Sequence, residues 1–165
     1  MAEIRSYLDI ETAWDGRITI IGMLREDRGL LQLVGRDVTA DAVTGFLDGS
    51  GPLHTYNGHS FDLPRIKGAL RLDLRRRYAC RDLMRDCWRL KLFGGFKKVE
   101  ERLGIARETA GVDGIAAMRL WDRYVEADDR DALDLLLRYN REDVENLAVL
   151  RDRLEALSLP GHAQG

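Results

Sequence analysis

The chain has 165 residues, 45% hydrophobic and 33% charged, with a formal net charge of −2; this suits one core-bearing unit, since about 150 residues hide roughly 70% of their unfolded surface. No apolar run approaches the roughly 18 residues that cross a bilayer, so no membrane-spanning helix is expected. The first residues lack the basic, apolar and cleavage-site pattern of a signal peptide, so a cytoplasmic location is expected.

In chain order, Tyr7–Ile10, Ile18–Ile21 and Leu30–Val34 are short apolar runs separated by the turn signals Asp15-Gly16 and Asp27-Arg28-Gly29. They predict three strands in an antiparallel meander. Helical spacing follows at Ala42, Val43, Phe46 and Leu47 and stops at Gly49-Ser50-Gly51-Pro52. Leu53–Tyr56 reads as a short strand, followed by a helix from about Ser60 to Leu70 and a strand near Tyr78-Ala79-Cys80. Alternation of strand and helix predicts parallel pairing for this part. From Lys97 the pattern is helical: Val99 to Leu103 ending at Gly104, Ile115 to Val125, and Ala132 to about Leu157. The expected fold is α/β: a mixed sheet, antiparallel meander plus parallel strands, flanked by helices. One unit spans residues 1–157, and 158–165 form a frayed tail.

Charge is unevenly spread. Residues 65–98 hold twelve Lys or Arg against Asp73, Asp82 and Asp86, a net of +9 that leaves −11 for the remainder. One basic segment beside an acidic remainder suits a polyanionic partner, although a solvated arginine-rich face would look the same. Cys80 and Cys87 match neither a zinc spacing nor a disulfide framework and take no role. His54, His59 and His162 are lone histidines without a motif.

Three local patterns carry chemistry. Alternation places Asp9 and Glu11 on one face of the first strand, an unfavourable pair unless water or a hard divalent cation compensates it. If Glu11 lies past the strand end, both acids are simply solvated. In the last helix, Leu136, Tyr139, Asp143, Leu147, Leu150 and Leu154 form one stripe, so Asp143 interrupts an apolar face. A buried carboxylate must be paired, coordinated or neutralised, and Arg138, Arg141 or a core water would serve as well as a metal. Tyr139 lies one turn earlier on the same face. In Tyr56-Asn57-Gly58-His59-Ser60-Phe61-Asp62-Leu63-Pro64, Asp62 is either an acid presented by a loop or the N-cap of the helix that follows.

Taken together and in order, Asp9-x-Glu11, Asn57-x-x-x-Phe61-Asp62 and Tyr139-x-x-x-Asp143 resemble the three motifs of the DEDD superfamily of 3′-to-5′ exonucleases, which have an RNase H-like fold. The spacing resembles the tyrosine subtype, most closely stand-alone YprB-type domains and the proofreading domains of family B DNA polymerases. The histidine subtype would place His where Arg138 stands. The likeness runs from about Ser6 to Leu150 and includes Lys97–Gly104 and Leu120-Trp121-x-x-Tyr124.

The resemblance implies hydrolysis at the single-stranded 3′ end of DNA or RNA with two divalent cations, Mg²⁺ or Mn²⁺. Asp9 would bridge both metals, Glu11 and Asp143 would complete the site that activates water, Asp62 would serve the second metal, and Tyr139 would hold the water. Asn57 and Phe61 would touch the terminal nucleotide. Independently of the resemblance, the basic segment from Arg65 to Lys98 would carry the phosphate backbone toward the acids, with Arg75, Arg76 and Arg77 its densest part. The competing readings are a catalytically silent RNase H-like nucleic-acid-binding or assembly module, and an RNase H-type endonuclease.

Overall fold

Apolar, β-branched runs separated by tight turns build the first half of the sheet. In the computed structural model, which describes residues 3–160, β1 (Ser6–Thr12), β2 (Ile18–Arg25) and β3 (Gly29–Val34) form the expected antiparallel meander. The turn glycines Gly16 and Gly29 sit at φ +82° and +77°, a region that favours a residue without Cβ. β4 (Leu53–Thr55) and β5 (Cys80–Asp82) then add in parallel, giving the order β3-β2-β1-β4-β5.

Among the described residues six α-helices cover this mixed sheet: α1 (Ala40–Leu47), α2 (Asp62–Leu70), α3 (Leu83–Arg89), α4 (Phe96–Leu103), α5 (Gly114–Ala127) and α6 (Arg130–Ser158). Alternation along β1 assigns the faces. Leu8 and Ile10 pack with Val43 and Leu47 of α1 and Leu63 and Ile66 of α2. Tyr7 points the other way, into a cluster with Val144, Leu147 and Leu150 of α6. Ile20 continues that second face against Leu120 of α5 and Leu136 and Tyr139 of α6.

The differing lengths of the parallel strands open the molecule at one end. Ser6 and Tyr7 of β1 pair with Leu53 and His54, but β4 stops at Thr55 while β1 runs on to Thr12. The second half of β1 therefore has no strand on its β4 side. The loop 56–61 and the start of α2 fill that gap, held by Asp82, whose carboxylate accepts from the backbone N–H of Asn57 at 2.8 Å and of His59 at 3.3 Å.

Several bounds differ from the sequence reading. α2 begins at Asp62 rather than Ser60, because Asn57 turns the chain at φ 57° and Phe61, not Asp62, is the cap residue. The parallel pairing Leu53↔Cys80 places β5 two residues later than the apolar run suggested. α3 has no counterpart in the sequence reading: only Leu83 and Cys87 of its seven residues are buried, too few for a visible stripe, although Asp82 caps its start by accepting from Met84 N–H at 3.1 Å. α6 continues through Ser158, and the tail residues 161–165 lie outside the described ones.

Candidate active site

Asp9, Glu11, Tyr139 and Asp143 converge where β1 outruns β4. Asp9 and Glu11 lie on the face of β1 turned to α6, and α6 presents Tyr139 and Asp143 there at i and i+4. Asp9, Glu11 and Asp143 each offer a carboxylate oxygen within 4.8 Å of the others; among the described residues they are the one group of three or more His, Cys, Asp or Glu placed to share a cation. Glu11 and Asp143 are buried and Asp9 is half-buried.

Asp62 is buried beside this trio rather than within it. With no β4 neighbour to pair with, the Ile10 N–H donates to Asp62 Oδ2 at 3.2 Å. That bond anchors the first turn of α2 to β1 and leaves no capping role for the carboxylate, whose helix shows no side-chain cap bond.

Crowding and burial shift the protonation of all four acids upward. Asp9 and Glu11 are raised well above the ordinary carboxylate range, first by burial and then by neighbouring acids, Asp143 foremost. Burial lifts Asp62 to about 7 against the lowering effect of its backbone bond with Ile10, and lifts Asp143 to about 6 against the pull of Arg107. The Tyr139 phenol is pushed far above its ordinary value by burial and then by Asp143, Glu11 and Asp9. It therefore keeps its proton at neutral pH.

Of the surrounding support, the sequence showed only Lys97, as the end of a basic run. Arg107, from the loop after α4, donates to Asp143 Oδ1 at 2.5 Å and to both oxygens of Glu100 at 2.8 and 3.0 Å, while Asn146 also donates to Glu100 at 2.8 Å. Lys97 donates to the Tyr139 hydroxyl at 2.9 Å and to the Val112 carbonyl. Asn140, fully buried, donates to Asp9 Oδ2 at 3.2 Å and accepts from Gln32 at 3.0 Å. Gly22, the pairing partner of Asp9, makes room for this link: a Cβ there would overlap Asn140 Oδ1. Asn140 adjoins Tyr139, and a polar residue on the buried side of α6 was a signal that could have been followed. Arg107 sits in a loop with no pattern of its own.

Two grooves meet at the acids. One, of about 470 Å³, runs past Thr12, Phe61, Ile115 and Met118; the other, of about 450 Å³, runs past Tyr56, Phe96, Lys97 and Lys98, and both include Asp9, Tyr139 and Asp143. Phe61 is 36% exposed and lies under the Arg65 guanidinium at 4.3 Å, so it lines the first groove rather than anchoring the core. Asn57 lies in the same loop, its backbone held by Asp82.

Arg75, Arg76 and Arg77 are not brought to the acids. They precede β5, whose first residue Cys80 pairs with Leu53, itself level with Ser6 at the start of β1. Tyr78 beside them feels the charges of Asp48 and Arg25, and Arg25 pairs with Ser6. At about 3.3 Å per residue, Asp9 and Glu11 stand roughly 10 and 16 Å further along β1. The chain from Asp62 must descend the length of α2 before it reaches these arginines, which places them at the opposite end of the sheet.

The donor set suits a hard divalent cation. It consists of carboxylate oxygens alone, one groove end is open, and Glu11 Oε1 is buried without a hydrogen-bond partner. An orphaned, ionisable acceptor costs free energy that a cation would offset.

Comparison with known proteins agrees with this architecture. The family B DNA polymerase from the hyperthermophilic archaeon Pyrobaculum calidifontis superposes with a TM-score of 0.70 at 18% identity, over 94% of this chain and 25% of the polymerase chain. The chain thus spans about a quarter of that polymerase, and the likeness is one of fold. No curated protein matches. A family model described as RNase_H superfamily matches residues 6–155, a span that contains the whole sheet and every acid of the cluster, and the chain belongs to that superfamily.

Proposed function

We propose that this protein is a metal-dependent nuclease that hydrolyses phosphodiester bonds from the 3′ end of a single-stranded DNA or RNA, of the DEDD type and tyrosine subtype. The observation that carries this reading is the convergence of Asp9, Glu11 and Asp143 within 4.8 Å, on the end of the sheet where two grooves open. Membership of the RNase_H superfamily supports it.

Asp9, Glu11, Asp143 and Asp62 would hold two divalent cations, Mg²⁺ or Mn²⁺, which supply acidity to a bound water and charge stabilisation to a leaving 3′ oxygen. The chain's own residues do the rest. Tyr139 keeps its proton, so its hydroxyl orients a water without acting as a base. Lys97 fixes that hydroxyl by donating to it and adds positive charge beside a scissile phosphate. Asn140 holds the Asp9 carboxylate, and Arg107 holds Asp143. Phe61 offers an exposed ring for the terminal base, and Asn57 a polar edge in the same loop.

The Arg107–Asp143 pair is the one observation favouring the alternative, a catalytically silent binding module, because an internal cation already neutralises one acid. Incubation of 3′- and 5′-labelled oligonucleotides with Mn²⁺, beside an Asp143→Ala control, separates the two. The nuclease reading expects a descending ladder from the 5′ label in wild type alone. No cleavage by wild type, or equal cleavage by the variant, overturns it.

A further inference from the structure

Residues 87–99 hold Arg89, Lys91, Lys97 and Lys98 and no acid, in a chain whose net charge is negative. This segment leaves α3, turns at Lys91 (φ 58°), and re-enters at α4 on the wall of the second groove. It also exposes two large aromatic side chains, Trp88 at 47% and Phe93 at 59%, neither of which joins a hydrophobic cluster. Both side chains are about half exposed in a place where solubility alone would favour polar residues.

The backbone that presents them is held rather than loose. Leu92 N–H donates to the Cys87 carbonyl at 2.9 Å, Arg102 donates to the Phe93 carbonyl at 3.3 Å, and the Tyr56 hydroxyl donates to the Gly94 carbonyl at 2.9 Å. Tyr56 itself stacks on Phe96 at 4.9 Å between ring centres, and both line the groove that reaches Asp9. The stem of Lys98 lies against Gly94, where a Cβ would approach its Cδ to 3.2 Å. The acid groove therefore runs past the Tyr56–Phe96 stack and Lys98 to the loop that carries Phe93, which follows Trp88 by five residues.

We propose that this surface is a single-strand binding strip: bases of a polynucleotide stack on Phe93 and Trp88 while Lys91, Lys98 and Arg102 bind its phosphates. Aromatic faces accept any base, and interleaved cations follow the backbone, so the strip binds without sequence preference. Charge complementarity and continuity with the acid groove favour a polynucleotide over a protein partner. The strip deepens the nuclease reading and rests on it for the direction of the strand: the 3′ end lies at the acids and the 5′ side on the strip.

The test is binding of fluorescein-labelled dT and rU oligomers of about 12 nucleotides to the full chain in EDTA, by anisotropy. The proteins are wild type, Trp88→Ala/Phe93→Ala, and Lys91→Glu/Lys98→Glu. Loss of one stacked base corresponds to about 1–3 kcal/mol, so the aromatic double variant should bind at least tenfold more weakly at an unchanged melting temperature. The charge variant should flatten the salt dependence by roughly 0.7 in slope for each phosphate it no longer neutralises. Affinity and slope within twofold of wild type in both variants overturn the strip, as does failure of wild type to bind either oligomer. Mn²⁺-dependent cleavage by wild type is scored separately: its absence strikes the nuclease reading, whereas the EDTA comparison alone decides the strip.

Discussion

Asn140 shows how much of the site depends on a residue that carries no chemistry. Its amide joins Gln32 on β3 to the carboxylate of Asp9, through space left by Gly22. Asn140→Ala should lower Mn²⁺ affinity by about 10–100-fold, as removal of outer-shell partners of a metal site does. Titration of the melting temperature with Mn²⁺ checks this, and unchanged affinity would remove the positioning role. Arg107 acts differently. It satisfies buried Glu100 as well as Asp143, so Arg107→Met strands Glu100 and should destabilise the fold by about 3–5 kcal/mol in urea unfolding. Adding Glu100→Gln removes the stranded charge and should recover a large part of that loss. At this scale strand and helix periods placed Asp9 with Glu11 and Tyr139 with Asp143 on shared faces, and only the resemblance joined them into one site. The sequence showed Lys97 only as part of a basic run and was silent on Arg107, because their hydrogen bonds cross 42 and 36 residues of chain and no local period encodes a tertiary pair.

At the scale of elements, the site exists because β4 is short. Its end at Thr55 frees Ile10 N–H for Asp62 and opens the end of the sheet to solvent. The central strand pair is equally constrained, since β2 carries Gly22 directly against Asp9 and beneath α6. Gly22→Ala would drive a methyl into Asn140 Oδ1 and set it 2.8 Å from Val144 Cγ2. It should destabilise by about 1–3 kcal/mol through overpacking, and it should weaken Mn²⁺ binding as Asn140→Ala does. Chemical unfolding read together with metal titration checks both effects; a stability loss with intact metal affinity would separate β2 packing from the position of Asp9. The meander and α6 were legible because long apolar runs and a sustained helical stripe repeat their signal many times. β5 was read two residues early and α3 not at all, since three and seven residues offer too few repeats. The charge run of residues 65–98 was legible as a run but not as a place: α2 separates Arg75–Arg77 from the acids, while α4 returns Lys97 and Lys98 to them.

Across the whole molecule, the acid cluster sets a pH dependence of stability. Asp62 and Asp143 are raised to about 7 and about 6, and Asp9 and Glu11 are raised well above their ordinary values. Between about pH 4 and 7 the folded chain therefore holds more protons at these positions than the unfolded chain does. Their stabilising contribution is complete below about pH 4 and is lost as pH rises through 6 and 7. Buried His54, whose lowered pKa makes its contribution appear only as pH rises, opposes this trend. The gain from added Mg²⁺ isolates the acids: it should be small at pH 5 and large at pH 8, where carboxylates need no deprotonation to bind. At roughly a hundredfold excess over Kd the gain is about 2.7 kcal/mol, or about 5–11 °C in melting temperature for a chain of this size. A gain that shrinks between pH 5 and 8 in differential scanning fluorimetry would contradict the account.

The central claim is that Asp9, Glu11, Asp62 and Asp143, with Tyr139, hydrolyse a nucleic acid from its 3′ end. The most direct measurement is a time course on 5′-labelled single-stranded DNA and RNA with Mn²⁺, comparing wild type with Asp143→Ala and Tyr139→Phe. The account predicts a ladder shortening one nucleotide at a time in wild type, none in Asp143→Ala, and a slowed ladder in Tyr139→Phe. Internal cuts without a ladder, or a ladder that persists in Asp143→Ala, would contradict it.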